Sequence, residues 1–320
     1  RQFRQDLLFD GLQERGQLTP ELLSELSEQA ARFHEQLTPV PEDKPLGTPE
    51  AVFSAMQDNF DQIRPFLEGD KALLNQLEGL EGWTRSTFER QQYLIAQHLA
   101  NITTYENRVT VFDCIEFSEP FRWIDVINDL AFLLMDLESR REFALASHTL
   151  NAYLEWRGDF DGLALLPLYK AYRAMVRAKI ALFTRGNEGL SGQEKDGLLQ
   201  KYRDYANLAE HYTAIPNPYL LATTGLSASG KSTVSHALAC ELGLVRLRSD
   251  VERKRMAGMG PLDSSRSGIS ENLYTEEANR KTYHRLADLS RQLLQCGFGV
   301  IVDAACLREN ERELLASVAE

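Results

Sequence analysis

Cysteine is scarce in this chain. Its four residues, Cys114, Cys240, Cys296 and Cys306, lie far apart, with no C-x-x-C pair and no histidine cluster along the sequence. That excludes a disulfide framework, argues against zinc, and fits reduced thiols in a cytoplasmic protein. Long apolar runs are absent as well. The longest, Leu130 to Met135, is far too short to cross a bilayer, so no membrane role is expected. The charged first residues do not make a signal peptide. Positive charge is in deficit, with 35 Lys and Arg against 47 Asp and Glu and a net charge of −12. That balance argues against a nucleic-acid surface as the main feature, while a local basic groove, or a nucleotide end as substrate, stays open. An initiating methionine is also missing, and Glu320 ends the chain inside a helical pattern (Leu314, Leu315, Val318), so a fragment truncated at both ends is expected. What remains is ordinary for a globular protein: 43% hydrophobic and 26% charged residues over 320 positions, enough for roughly two domains of about 150 residues.

The most informative stretch is Gly225-Leu226-Ser227-Ala228-Ser229-Gly230-Lys231-Ser232-Thr233. It matches G-x-x-x-x-G-K-[ST], and its flanks suit the chemistry. Tyr219 to Thr223 reads as a short buried strand after Pro216 and Pro218, while Val234, Ala237, Leu238 and Leu242 recur at helical spacing before Gly243. Glycines let backbone N–H groups curl around a phosphate, and the helix N-terminus adds a favourable dipole. The loop residues Gly225 and Ser227 to Thr233 are therefore expected to bind ATP. Lys231 reaches the β- and γ-phosphates and Ser232 ligates Mg²⁺.

Downstream, strand and helix patterns alternate, which predicts a parallel, doubly wound sheet. Strands are expected at Leu244–Leu247 and Phe298–Val302, with a helix from Arg280 to Gln295 between them. In such sheets ligands sit beyond the carboxyl ends of the strands. Asp303 ends the last strand, where a carboxylate helps hold Mg²⁺, orients a substrate group, or simply caps the next segment. Arg248-Ser249-Asp250-Val251-Glu252-Arg253-Lys254-Arg255 follows the second strand. Asp250 is placed to accept a hydroxyl proton and Arg253 to clamp a phosphate. The competing reading makes this a solvated basic helix start with Asp250 as N-cap.

The three strings G-L-S-A-S-G-K-S-T, R-S-D-V-E-R-K-R and G-V-I-V-D-A-A resemble the small-molecule and polynucleotide kinase branch of P-loop proteins, including gluconate-kinase-like and zeta-toxin-like ATPase domains. The resemblance implies that Asp250 is the acceptor-side base and that a later lid segment supplies arginines to the transferring phosphate. The chain stops too soon after Asp303 to contain that lid.

The first half reads as helical. Leu22, Leu23, Leu26, Ala30, Phe33 and Leu37 make one apolar stripe, and helical patterns run from Ala51 to Leu80, Phe143 to Trp156, Leu168 to Phe183 and Leu198 to Tyr212. Thr213 to Pro218 is the expected domain boundary. Between these lies V-F-D-C-I-E-F-S-E-P-F-R-W-I-D-V-I-N-D-L-A-F-L-L-M-D-L, preceded by Leu94-Ile95-Ala96-Gln97-His98-Leu99-Ala100-Asn101. This half resembles aminoglycoside-phosphotransferase-like domains fused ahead of a P-loop (AAA-family) ATPase domain in bacterial proteins. The resemblance implies a catalytic loop at Leu94–Asn101, metal contacts at Asn101 and Asp113, and a supporting helix start at Asp125–Asp129. Ala96 occupies the position of the catalytic Asp, and the small nucleotide-binding lobe is missing. Residues 1–213 are therefore expected to be a degenerate, kinase-like C-lobe that recognises a ligand or protein partner, and residues 214–320 the P-loop kinase domain. His34, His148, His211, His236 and His284 read as scattered surface or packing residues. The function expected is ATP- and Mg²⁺-dependent phosphoryl transfer to an unidentified hydroxyl acceptor. The alternative is a non-catalytic ATP-binding regulatory module.

Overall fold

The structure, a computed structural model, describes residues 9–36, 38–39, 48–99, 103–104, 125–214, 217–261, 263 and 274–318. Asn101, Asp113, Cys114 and the expected strand Val109–Phe112 lie outside the described residues. The chain forms two compact units that interleave in sequence. One contains residues 1–35, 142–160 and 217–320, the other residues 36–141 and 161–216.

The second of these is helical. It comprises α3 (Pro49–Ile63), α4 (Lys71–Leu99), α5 (Val126–Ser139), α7 (Leu166–Arg185) and α8 (Gly192–His211), with a short antiparallel pair, β1 (Thr38–Pro39) and β2 (Thr103–Thr104). Helix α7 presents Ala171, Ala174, Ala178 and Ala181 at helical spacing, buried with Ala206 and Ala209 of α8 and with Met135, Phe60 and Leu77. Small side chains on both helices permit a close approach, which is why so polar a helix as α8 still buries one face. The segment compared with a catalytic loop is not a loop: Leu94 to Leu99 are the last residues of the 29-residue α4. Asp125, expected to support that loop, instead ties helices together. It caps α5 by accepting from Ile127 N at 2.9 Å, receives the Tyr169 hydroxyl at 3.0 Å, and lies 3.4 Å from His98 Nδ1 at the end of α4. Burial and the Asp125 charge hold the Tyr169 hydroxyl well above the usual tyrosine range.

The other unit is α/β. It holds α1 (Phe9–Glu14), α2 (Pro20–Glu35), α6 (Phe143–Arg157), β3 (Leu220–Ala222), α9 (Lys231–Leu242), β4 (Val245–Arg248), α10 (Ser249–Met256), α11 (Glu276–Gln295), β5 (Val300–Asp303) and α12 (Glu309–Ala316). Its sheet is parallel with strand order β3-β5-β4, registered Ala222↔Val302 and Arg248↔Asp303. All four β5 residues are buried, as both faces of a central parallel strand should be. Helices α9 and α11 each pack on β5. Helix α2 forms where expected, but its buried face is Leu23, Ser27, Ala31 and His34, one residue round from the predicted stripe. Two polar residues are tolerated there because they are bonded: Ser27 Oγ donates to Leu23 O and Thr149 O, and His34 Nδ1 pairs with Tyr153 Oη at 2.8 Å.

Helix α6 closes the β4 edge. The Asn151 amide donates to Leu244 O at 2.9 Å and accepts from Arg246 N at 2.7 Å, standing in for a neighbouring strand. Ser147 Oγ donates to Ala239 O at 2.8 Å, and Arg255 Nη2 caps α6 through Leu154 O and Glu155 O at 3.0 and 2.8 Å. The Arg255 side chain passes so close to Gly158 (φ 70°) that a Cβ there would lie 2.5 Å from its Nε. Asn151→Leu keeps the volume but strands one backbone donor and one acceptor. It should lower unfolding free energy by about 2–6 kcal/mol, since each of the two buried unpaired groups costs about 1–3 kcal/mol. Urea unfolding of both proteins measures this. A loss under about 1 kcal/mol would mean the edge is closed by other contacts.

Candidate nucleotide-binding site

The glycine loop joins β3 to α9 as its flanks predict. Three of its residues have positive φ: Gly225 at 143°, Ala228 at 61° and Gly230 at 86°. Alternating hand at these positions turns successive N–H groups inward, as a phosphate nest requires. Ala228 is the informative one, because a left-handed alanine is disfavoured by roughly 1–2 kcal/mol and persists where surroundings over-determine it. At Gly225 a Cβ would sit 3.1 Å from Ser229 Oγ. Gly230 is the N-cap of α9 and brings no capping side chain to the first turn, where Gly230 O accepts from Thr233 N at 3.1 Å.

The two residues that follow β5 anchor the loop. Gly225 N donates to Ala305 O at 3.0 Å, Thr223 Oγ1 donates to Ala304 O at 2.9 Å, and Ala304 N donates back to Thr223 Oγ1 at 3.1 Å. Lys231 folds over the loop and donates to Leu226 O at 2.5 Å. Ser227, Ser229, Ser232 and Thr233 are exposed around it.

Asp303 lies at the carboxyl end of β5, 6% exposed, and its Oδ2 has no hydrogen-bond partner. Arg248 Nε stands 3.8 Å away, while Arg248 Nη1 donates to Glu155 at 3.0 Å. The same Glu155 takes Arg246 Nη2 at 2.5 Å, so one α6 carboxylate holds two arginines of β4. Asp303 does not cap α12. The N-cap there is Arg308.

The third strand end carries α10. The N-cap is Arg248, not Asp250, which sits second in the helix with its side chain 44% exposed. The segment is not simply solvated either. Lys254 Nζ pairs with Asp250 at 2.8 Å, the Tyr274 hydroxyl lies 3.4 Å from Asp250 Oδ1, and Glu252, 2% exposed, pairs with Arg255 and Arg285. Arg253 stacks over the Tyr274 ring at 5.1 Å and donates to Asn279 Oδ1 at 3.1 Å. Asn279 in turn donates to Glu311 at 2.7 Å. Those last two line an open cleft of about 710 Å³ between α11 and α12, with Tyr283 and Arg308. Lys254, Tyr274 and Asn279 were missed by sequence reasoning. The i, i+4 spacing of Asp250 and Lys254 was a usable signal, whereas nothing local announces Tyr274 or Asn279.

A further expectation from the sequence is overturned. The histidines are not all scattered: His148 and His236 face each other at 3.3 Å between Nδ1 and Nε2, and Cys240 Sγ lies 3.8 Å from that Nε2. No helix among the described residues is long and apolar enough to cross a membrane.

Strand, glycine loop and helix, with an aspartate ending the adjacent parallel strand, form the arrangement in which a P-loop cradles nucleotide phosphates. Residues 220–320 match the family profile described as an AAA domain. Over 98 residues, 30% of this chain and 46% of the relative, the chain is 34% identical to the adenylyl-sulfate kinase of Pseudomonas aeruginosa. It is also 26% identical over 230 residues to the uncharacterized protein Rv2004c of Mycobacterium tuberculosis, covering 69% of this chain and 45% of the relative. The uncharacterized protein Mb2027c of Mycobacterium bovis gives the same figures. The chain spans about half the length of the curated relatives it matches. No solved structure matches the chain.

Proposed function

We propose that the chain is a cytoplasmic ATP-dependent kinase that transfers the γ-phosphoryl group to a hydroxyl of a small molecule or nucleotide. The observation that carries this is the sheet register. Three parallel strands side by side bring the glycine loop, Asp303 and Asp250 to the same edge of the sheet. The similarity to a kinase named for a nucleotide acceptor, adenylyl sulfate, supports the acceptor class.

In this reading the loop amides and Lys231 hold the β- and γ-phosphates. Lys231 gives up Leu226 O to do so. The buried Oδ2 of Asp303, which accepts no hydrogen bond and has Arg248 Nε 3.8 Å away, fits a divalent cation, because a carboxylate oxygen out of water and without a donor gains from further positive charge. Asp303 and Ser232 would hold Mg²⁺, which when bound neutralises charge on the β- and γ-phosphates. Asp250 takes the proton as the acceptor oxygen bonds to the γ-phosphorus and the bond to the β-phosphate oxygen breaks, releasing ADP. Arg253, held by Tyr274 and Asn279, steadies the acceptor or the transferring group.

Residues 214–320 form the P-loop module, with α2 and α6 packed into the same unit as its support. Residues 1–213, most of which fold as the separate helical unit, recognise, we infer, a ligand or protein partner. A second reading, an ATP-binding regulatory module without transfer chemistry, draws on the ion pair that Asp250 already makes with Lys254.

The test is transfer from γ-labelled ATP with Mg²⁺ to adenylyl sulfate, nucleosides, nucleotides and sugars. A labelled acceptor is expected. Tight ATP binding with no labelled acceptor anywhere in the panel would favour the regulatory module.

A further inference from the structure

We propose that His148, His236 and Cys240 form a binding site for a soft transition-metal ion of the Zn²⁺ type, bridging α6 and α9. His236 and Cys240 stand four residues apart on α9, one turn along the same face, and His148 reaches them from α6. Their ligand atoms all lie within 4.8 Å of one another.

Two of the three ligand-to-ligand distances are close to those of a tetrahedral site. Zinc–nitrogen bonds of 2.0–2.1 Å and a zinc–sulfur bond near 2.3 Å give edges of about 3.3 Å between two nitrogens and about 3.6 Å between nitrogen and sulfur. The structure has 3.3 Å from His148 Nδ1 to His236 Nε2 and 3.8 Å from that Nε2 to Cys240 Sγ. A hydrogen-bonded imidazole pair explains the first distance alone. It does not explain why the thiol converges on the same Nε2, since one proton or lone pair serves one partner.

The surroundings suit a ligand set. Ser24 Oγ lies 2.8 Å from His148 Nε2, where it can accept that N–H and leave the Nδ1 lone pair facing the site. Metal-bound histidines are ordinarily oriented by such an outer partner. All three residues are half-buried, so an ion has a path in. Burial also disfavours the protonated imidazoles. On binding, the Cys240 S–H bond breaks, its proton leaves to solvent, and the sulfur–metal bond forms. Two nitrogens and one sulfur select a soft or borderline metal over Mg²⁺ or Ca²⁺ and leave a fourth position for water. Because α9 begins at Lys231, such an ion would clamp the loop-bearing helix to α6. This inference stands whether or not the chain transfers phosphate.

The test uses the untagged, reduced full chain after chelator treatment, titrated with Co²⁺ and then Zn²⁺. One equivalent of Co²⁺ should produce a thiolate-to-cobalt charge-transfer band that Zn²⁺ removes, and Zn²⁺ should raise the melting temperature. Cys240→Ser, which retains the other three cysteines, should lose the band. His148→Gln should weaken Co²⁺ affinity at least about tenfold. If Cys240→Ser does not fold, His148→Gln and the Zn²⁺-dependent melting shift decide. No stoichiometric Co²⁺ uptake, or a band unchanged by these substitutions, overturns the site.

Discussion

Replacing Asp250 by asparagine is expected to lower kcat for phosphoryl transfer by about 10²–10⁴-fold, the contribution of a positioned general base. The substitution suits the question because it removes the proton acceptor while keeping the side chain's size, at the cost of the Lys254 ion pair. Asp250 is second in α10, not its N-cap, and its side chain is half-exposed, so the helix start should survive. Lys254 and the Tyr274 hydroxyl sit on different oxygens of Asp250, so the single carboxamide oxygen can accept from one of them, and it cannot take a proton from an attacking alcohol. ATP affinity should stay at the wild-type value, because the loop is held through Gly225 and Thr223 by the residues that follow β5. A variant within about twofold of wild-type kcat would remove Asp250 as the base, a difference under about 0.5 kcal/mol in the barrier.

Lys231→Ala should abolish saturable Mg·ATP binding at a single site and, where transfer is still measurable, cost about 10²–10³-fold in kcat/KM, as loss of one preorganised charge-stabilising donor does. Calorimetry on the wild type and variant checks the binding, and a transfer assay the rest. The fold should persist. Lys231 contributes one contact to the loop, its bond to Leu226 O, while the residues that follow β5 supply the anchoring bonds. Wild-type affinity in Lys231→Ala would move the nucleotide site away from this loop.

Much of the α/β unit was legible because its signals are local. The run Leu220–Ala222, the glycines at 225 and 230 and the stop at Gly243 each act over a few residues, and strand and helix formed there within a residue or two. The apolar run ending at Asp303 likewise read as a strand, shifted only slightly. Reading failed where a pattern had to be matched to a partner. Helix α2 was correct, but its buried face was displaced toward Ser27 and His34, since bonds to Thr149 O and Tyr153 make those polar groups cheaper to bury than spacing alone suggests. Leu94–Asn101 was compared with a loop by residue likeness, yet its first six residues continue a helix with nothing local to break it.

By itself, then, the sequence determined the phosphate loop, the order of strands and helices after it, and the chemical character of the three strand ends. These depend on backbone preferences and short-range periodicity, which a single chain displays. Only the tertiary structure decided that α6 belongs with the sheet, where Asn151 completes the β4 edge and Glu155 gathers Arg246 and Arg248. It alone set Tyr274 beside Asp250 and Asn279 beside Arg253, and brought His148 to His236 and Cys240. The physical reason is the same in each case. These partners are 24 or more residues apart, and their pairing follows from how helices pack on a twisted sheet, a geometry with no local signature in the residues that end up touching.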